Sequence, residues 1–552
     1  MLVAEAVGRA LAQSRATDTI FGLIGSGNFA VTNALVAGGV RFVAARHEGG
    51  AISMADAYAQ LSGQVGLCSV HQGPGLTNAM TGLTEAAKSR TPMLVLAADT
   101  AASAIRSNFR IAQDQLVTSV GAVAERLHGP QTAVADALRA LRRAQVERRP
   151  VVLMLPLDIQ AGAVADPEVD DLPPPLPLLR PMRPAMAAVI DAADALVHAE
   201  RPLIIAGRGA RVAGARAPLE QLADLLGGLL ATSAVANGLF AGSPWALGIS
   251  GGFASPAAAE LISEADVVLG AGVALNMWTT RHGRLLSPRA TVIQIDHDPD
   301  AIGAHHRVDV AVVGDVAQAA LALIGELGRL EYVGSGWRSP SLAERIHTGA
   351  WQVTPYDDAS DATHIDPRTL SVALDELLPV ERTVAIDSGH FMGYPAMYLR
   401  VPDERAFVFT QAFQAVGLGL SSGIGAAIAR PEQLTVVALG DGGALIGLAD
   451  LETVARLRLR MIIVIYNDAA YGAEVHHFGP HGHPLDIVRF PDVDFAALGR
   501  AVGLRGVTVR SRRDLQPVAD WLATGDPPGM VVDAKVVPTV VAEWLEEAFR
   551  GH

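Results

Sequence analysis

The stretch Leu434 to Gly472, LTVVALGDGGALIGLADLETVARLRLRMIIVIYNDAAYG, constrains this chain more than any other. An apolar run of β character, Leu434 to Leu439, ends in Gly440-Asp441-Gly442-Gly443, and a helical segment and a second apolar run, Met461 to Tyr466, lead into Asn467-Asp468. That order predicts strand, glycine loop, helix, strand and polar turn, the two strands being parallel because a helix joins them. Parallel neighbours bring their C-terminal ends together, so Asp441 and Asn467, 26 positions apart, are expected to converge. Magnesium takes protein oxygens of this kind together with water and a phosphate. The glycines leave backbone N–H groups free to approach a diphosphate at a helix N-terminus. Taken alone, Gly-Asp-Gly is also ordinary turn chemistry.

The rest of the 552-residue chain is too long for one core, so about two to four domains are expected. Residues 1 to 170 alternate helix and strand, with a helix through Ala51 to Leu61 and strands at Arg41 to Ala45, Val65 to Val70, Met93 to Ala98 and Val151 to Leu155. Alternation of this kind implies a mostly parallel sheet covered on both faces. A proline-rich linker, Asp170 to Pro184, precedes a second domain at 185–330 with strands at Leu203 to Ala206, Val267 to Gly270 and Val292 to Ile295. Its Gly207-Arg208-Gly209 turn lacks the third glycine and acidic partner of a dinucleotide fingerprint and reads as a strand-to-helix turn. An irregular linker, Leu330 to Asp366, leads to a third domain at 367–552, which closes with a helix, Val541 to Phe549. The expected fold is α/β: three doubly wound parallel-sheet domains.

A net charge of -14 argues against a nucleic-acid or membrane-surface partner. The single cysteine, Cys68, excludes an intramolecular disulfide and reads as a small core residue. The N-terminus has helical periodicity rather than a signal peptide's basic start and unbroken apolar core, and no apolar run reaches membrane-spanning length, so a cytoplasmic enzyme is expected.

The Leu434 to Gly472 stretch resembles the thiamine-diphosphate signature of the pyruvate decarboxylase and acetolactate synthase superfamily, a GDG followed by an Asn pair. Here Tyr466 replaces the first Asn. The N-terminal segments RHEGGA, around Glu48, and SVHQGPGLTNAMTGLTEAAKSRTPMLVLAAD, from Ser69 to Asp99, resemble the pyrimidine-binding domain of the same superfamily. Gln294 to Pro299, QIDHDP, is similar to the segment closing its middle domain. The likeness implies thiamine diphosphate and magnesium as cofactors, with Asp441, Asn467 and the carbonyl of Ala469 as metal ligands. It places Gly440, Gly442, Gly443, Tyr471, His390 and Met392 around the cofactor and Leu418 as the apolar wedge that keeps it bent. Glu48 would be the cofactor's activator; read without the likeness, it is a helix N-terminal carboxylate favoured by the macrodipole. Gln113 resembles the glutamine that faces the thiazolium, or else is a solvated residue at a helix start. The superfamily's two cofactor domains meet across subunits, which implies a homodimer or homotetramer acting on a small 2-keto acid or aldehyde.

His71 and Ser26 resemble the His and Ser of benzoylformate decarboxylase, and a histidine near neutrality suits general acid chemistry. Gln113, QIDHDP and the domain order look more like an acetolactate synthase or benzaldehyde lyase. The pocket stretch Tyr471 to Phe478 departs from acetolactate synthase, with Ala473 and His477 where Met and Trp are usual. His476, His477, His481 and His483 read as a solvated loop, although the resemblance implies that this region borders the pocket, where one of the first pair could serve as acid or base. The leading expectation is a carbon–carbon lyase or ligase like an acetolactate synthase. A 2-keto acid decarboxylase, an FAD-dependent oxidase of the same fold and a catalytically silent binding paralogue follow, and acetolactate synthases themselves keep a non-redox FAD.

Overall fold

Runs of β-branched and aliphatic residues buried on both faces pair most readily in parallel ladders covered by helices. The computed structural model, which describes residues 1–164, 180–524 and 528–550, contains three such sheets of six strands each. The first is built from β1 (Thr19–Gly22), β2 (Arg41–Ala44), β3 (Gly66–Val70), β4 (Met93–Asp99), β5 (Val123–Arg126) and β6 (Pro150–Pro156). The second comprises β7 (Pro202–Ala206), β8 (Leu229–Thr232), β9 (Ala246–Ile249), β10 (Val267–Ala271), β11 (Thr291–Asp296) and β12 (Val310–Val313). The third comprises β13 (Arg382–Ile386), β14 (Phe407–Phe409), β15 (Leu434–Gly440), β16 (Met461–Asn467), β17 (Arg505–Val509) and β18 (Met530–Lys535).

The first and third sheets have one topology, β2-β1-β3-β4-β6-β5 and β14-β13-β15-β16-β18-β17. In open α/β sheets ligands bind outside the carboxyl ends of the strands where the order reverses. Those points are β1/β3 in the first sheet and β13/β15 in the third. The register pairs Gly440 of β15 with Tyr466 of β16, which sets Asp441 beside the Asn467-Asp468 turn. The middle sheet runs β9-β8-β7-β10-β11-β12, and its reversal lies at β7/β10.

The terminal domains share a core. Helix Glu48–Ser62 lies on helix Gly419–Ala429, and Ile52, Met54 and Ala55 enter one apolar cluster with Leu420, Ile424 and Ala427. Burying each Met, Ile or Leu contributes about 1.5–3 kcal/mol. The helices approach so closely that a Cβ on Gly425 would lie 2.1 Å from the Met54 carbonyl oxygen. Polar ties flank the contact: Arg46 N–H donates to Asp450 Oδ1 at 3.0 Å, and the Ala412 and Phe413 N–H groups donate to the buried Glu85 at 3.0 and 2.7 Å.

Several elements depart from expectation. Strands β5, β8, β9 and β12 are four residues each, too short for a periodic signal. The stretch 330–366 is not wholly irregular: Ser339 Oγ accepts from Leu342 N–H at 3.2 Å and Pro340 opens a helix, Pro340–Thr348. The closing helix is only Trp544–Ala548. Of the proline-rich linker, 165–179 lie outside the described residues. No helix among those described is long and apolar enough to cross a membrane.

Candidate active site

At the β13/β15 reversal, Gly440 ends its strand and Asp441 opens a short helix, Asp441–Ile446, whose first N–H groups have no intrahelical partner. Asp387, immediately after β13, organises the loops around it. Its carboxylate accepts from Ser388, Gly417 and Leu418 N–H at 2.9, 2.9 and 3.2 Å, while burial pushes its pKa up to about 6. A Cβ on Gly443 would sit 2.3 Å from Asp387 Oδ2, so only glycine lets the loop close on this carboxylate. Leu418, expected as the wedge, is buried beside it.

The sequence placed Asn467 beside Asp441; the structure places Asp468 there. Asp468 lies against Asp441, and burial raises both carboxyls, Asp468 further by the repulsion of its neighbour. Asn467 turns its amide nitrogen to Asp533 Oδ1 at 3.0 Å, Asp492 Oδ1 at 3.2 Å and the Val493 carbonyl at 3.3 Å. Its Oδ1 accepts from Ala469 N–H at 3.2 Å. Lys535 sustains this seat from β18, donating to Asp492 Oδ1 at 2.5 Å, with Asp533 Oδ2 at 2.9 Å. Ala469 is left-handed, φ 54°, and its carbonyl already accepts from Phe490 N–H at 2.9 Å, leaving one lone pair. Tyr471 lays its ring over the glycine loop, its Cε1 2.8 Å from where a Gly442 Cβ would be.

His390 and Met392 form a buried 3₁₀ turn after Asp387. Burial, then the proximity of His476, pushes His390 down to about 3, so it is a neutral acceptor: Nε2 takes the Ala542 N–H at 2.9 Å. The expected solvated histidine loop is only partly so. His476 and His477 ride on helix Gly472–Phe478; His476 packs on His390 with ring centroids 4.4 Å apart, and His477 stacks on Phe549 at 3.9 Å. His476 Nε2 is buried without a hydrogen-bond partner, as is Gln411 Nε2 beside Ser388.

The β1/β3 reversal gathers the N-terminal residues. Glu48, buried at the start of its helix, accepts from Asn78 Nδ2 at 3.0 Å. His71 follows β3, its ring edge-on to Phe109 at 5.2 Å, and Nδ1 accepts from Gly27 N–H at 3.3 Å, so Nε2 carries the proton. Burial lowers its pKa, and Glu48 opposes. Ser26 is exposed on the facing turn. Gln113 is buried rather than solvated, with both ends engaged: Oε1 accepts from Gly73 N–H at 2.9 Å and Nε2 donates to the Ala98 carbonyl at 3.0 Å. Asp387 and Asp468 were missed as site residues, although Asp468 is adjacent to the expected ligand and Asp387 ends an apolar run.

The β13/β15 site fits a diphosphate with a divalent cation. It offers a glycine cradle, free helix N–H groups, two carboxylates that repel in the absence of a cation, and buried polar atoms without partners.

Comparison with known proteins agrees with this chemistry. Family models describing the N-terminal, central and C-terminal domains of thiamine pyrophosphate enzymes match residues 1–120, 189–323 and 387–532. A sulfoacetaldehyde acetyltransferase of Rhodobacter capsulatus is 30% identical, covering 91% of this chain and 88% of that protein. A probable 2-ketoarginine decarboxylase of Pseudomonas aeruginosa is also 30% identical over 92% of this chain and 89% of its own. Acetolactate synthase isozyme 3 large subunit of Escherichia coli is 28% identical over 93% and 90%.

Proposed function

This chain belongs to the thiamine pyrophosphate enzymes, and from that membership we propose a magnesium-dependent carbon–carbon lyase or ligase acting on 2-keto acids or acyloins, most like an acetolactate synthase large subunit. One observation carries the reading: the two terminal sheets have the same strand order, and each reversal holds half of the machinery, Glu48 in one and the Asp441–Asp468 pair in the other.

Thiamine diphosphate, when bound, supplies an electron sink for the pair left when a bond beside a carbonyl breaks. Asp441 and Asp468 would be the side-chain donors to magnesium, with the remaining lone pair of the Ala469 carbonyl, and Asn467 would set the turn that aims them. The Gly440–Gly443 loop, Tyr471, Met392 and the Leu418 loop frame the diphosphate end. Glu48, fixed by Asn78, would meet the cofactor's pyrimidine. Half of a site lies on each of two faces that expose Ile105, Phe109, Phe413 and Ile446, which supports closure by a second copy in a homodimer or tetramer. The single buried Cys68 suits the cytoplasm.

A decarboxylase is the second reading, favoured by His71. When the ring takes up a second proton it can pass one to the reacting carbon and return to neutral, a step that decarboxylation requires and carboligation does not. The relatives' names span acyl transfer, decarboxylation and carboligation, so product analysis decides. NMR of the protein with thiamine diphosphate, magnesium and pyruvate, with and without benzaldehyde, yields acetolactate or a mixed acyloin under the leading reading and acetaldehyde alone under the second. Glu48→Gln lowers either turnover by about 100- to 10,000-fold with the fold intact; unchanged turnover in that variant would sink the assignment.

A further inference from the structure

The middle sheet has the strand order of dinucleotide-binding domains, 3-2-1-4-5-6 counted within the domain, and its reversal lies between β7 and β10. In such domains the glycine turn after the first strand stands away from the fourth, and a pyrophosphate enters between them. Here the two turns touch. Gly207 N–H donates to the Ala271 carbonyl at 3.0 Å and Gly209 N–H to the Gly272 carbonyl at 2.8 Å. A Cβ on Gly207 would fall 2.5 Å from the Gly272 oxygen, and one on Gly209 would fall 2.7 Å from the Gly272 Cα. Backbone therefore fills the crevice, and the glycine N–H groups that would face phosphate are engaged. The residues about 20 positions on, where an acid would bind the ribose, are Leu229 to Ser233, with no carboxylate.

The arginines of this turn face the other way. Arg211 Nη2 donates to the Gln60 carbonyl at 2.7 Å, in the last turn of helix Glu48–Ser62, and Nη1 to Val235 at 3.2 Å. Arg208 Nη1 donates to the Lys88 carbonyl at 3.5 Å, and its charge attracts Asp56 and Glu85, two buried carboxylates of the N-terminal domain. Asp56 is itself held by Thr91 Oγ1 at 2.5 Å and Gln60 Nε2 at 3.0 Å.

We infer that the Gly207–Arg211 turn is an interdomain clasp that holds the helix beginning at Glu48, and that the middle domain takes no flavin or other dinucleotide at its strand reversal. This goes beyond the proposed reaction and stands or falls separately, because neither test reads activity. In the first, the full chain with thiamine diphosphate and magnesium is dialysed against FAD, then denatured, and released flavin fluorescence is measured. Background flavin is the expected result; one flavin per chain overturns the inference. In the second, hydrogen exchange is compared between the wild type and the Arg208→Ala/Arg211→Ala variant. Exchange over residues 56–62 should quicken by about tenfold or more as that end of the helix opens locally. Unchanged exchange there overturns the clasp. Should the double variant fail to fold, Arg211→Ala alone removes the Gln60 bond and is read in the same way.

Discussion

At the scale of single residues, the diphosphate end is a problem of charge. Asp441 and Asp468 are buried against each other, an arrangement that a divalent cation relieves and that repels without one. Asn467 lies behind them, bound to Asp533 and Asp492. The order of two losses follows. Asn467→Ala, which loosens the turn, should weaken magnesium binding in the presence of thiamine diphosphate by about 10- to 100-fold. Asp468→Ala, which removes a donor, should weaken it further. Calorimetric titration showing the opposite order would return the ligand role to Asn467. The acidic pair of loops and the glycine cradle were legible because strand, loop and turn residues follow one another within 39 positions, Leu434 to Gly472. Which of two adjacent polar residues meets Asp441 was not. That depends on Lys535 and Asp533 from β18, more than 60 positions away, turning Asn467 aside.

At the scale of elements, two contacts carry predictions. Helix Gly419–Ala429 presents Gly425 to the Met54 carbonyl. Gly425→Ala forces the helices apart and should cost about 1–3 kcal/mol in chemical denaturation. The C-terminal segment is tied down by the Ala542 N–H bond to neutral His390, by Tyr394 Oη donating to the Val540 carbonyl at 3.1 Å, and by His477 on Phe549. His390 is held at about 3, below its value in the unfolded chain. Above pH ~6.5 its contribution is complete. As pH falls below that value the unfolded state binds a proton that the folded state refuses, and stability drops by up to about 1.4 kcal/mol per pH unit. Asp387, raised to about 6, acts in the opposite sense, stability falling as pH rises from ~4 toward 6. The comparison is therefore differential: His390→Gln keeps an acceptor for Ala542 without the titration and should lose less stability than the wild type between pH 6.5 and 5, by denaturant midpoints. Equal losses would refute the role. The two-histidine contact itself could not be read from sequence, since it depends on a helix starting at Gly472 and on a segment more than 60 positions later.

At the scale of the whole molecule, two sheets of identical strand order pack through one helix pair, and each points a strand reversal outward with apolar side chains beside it. The alternation of apolar runs and helical segments made the three-layered α/β organisation legible. Strands β5, β8, β9 and β12, the helix inside the second linker and the closed middle crevice were not, because each is decided by neighbours distant in sequence. Central here is the proposal that the β13/β15 reversal binds thiamine diphosphate through a cation held by acidic residues. Its most direct test is calorimetric titration of the protein with thiamine diphosphate, with magnesium and with chelator, in the wild type and in Asp441→Ala. Binding that requires magnesium and disappears in the variant is the predicted result. Binding of equal strength with chelator present or with Asp441 removed would contradict it.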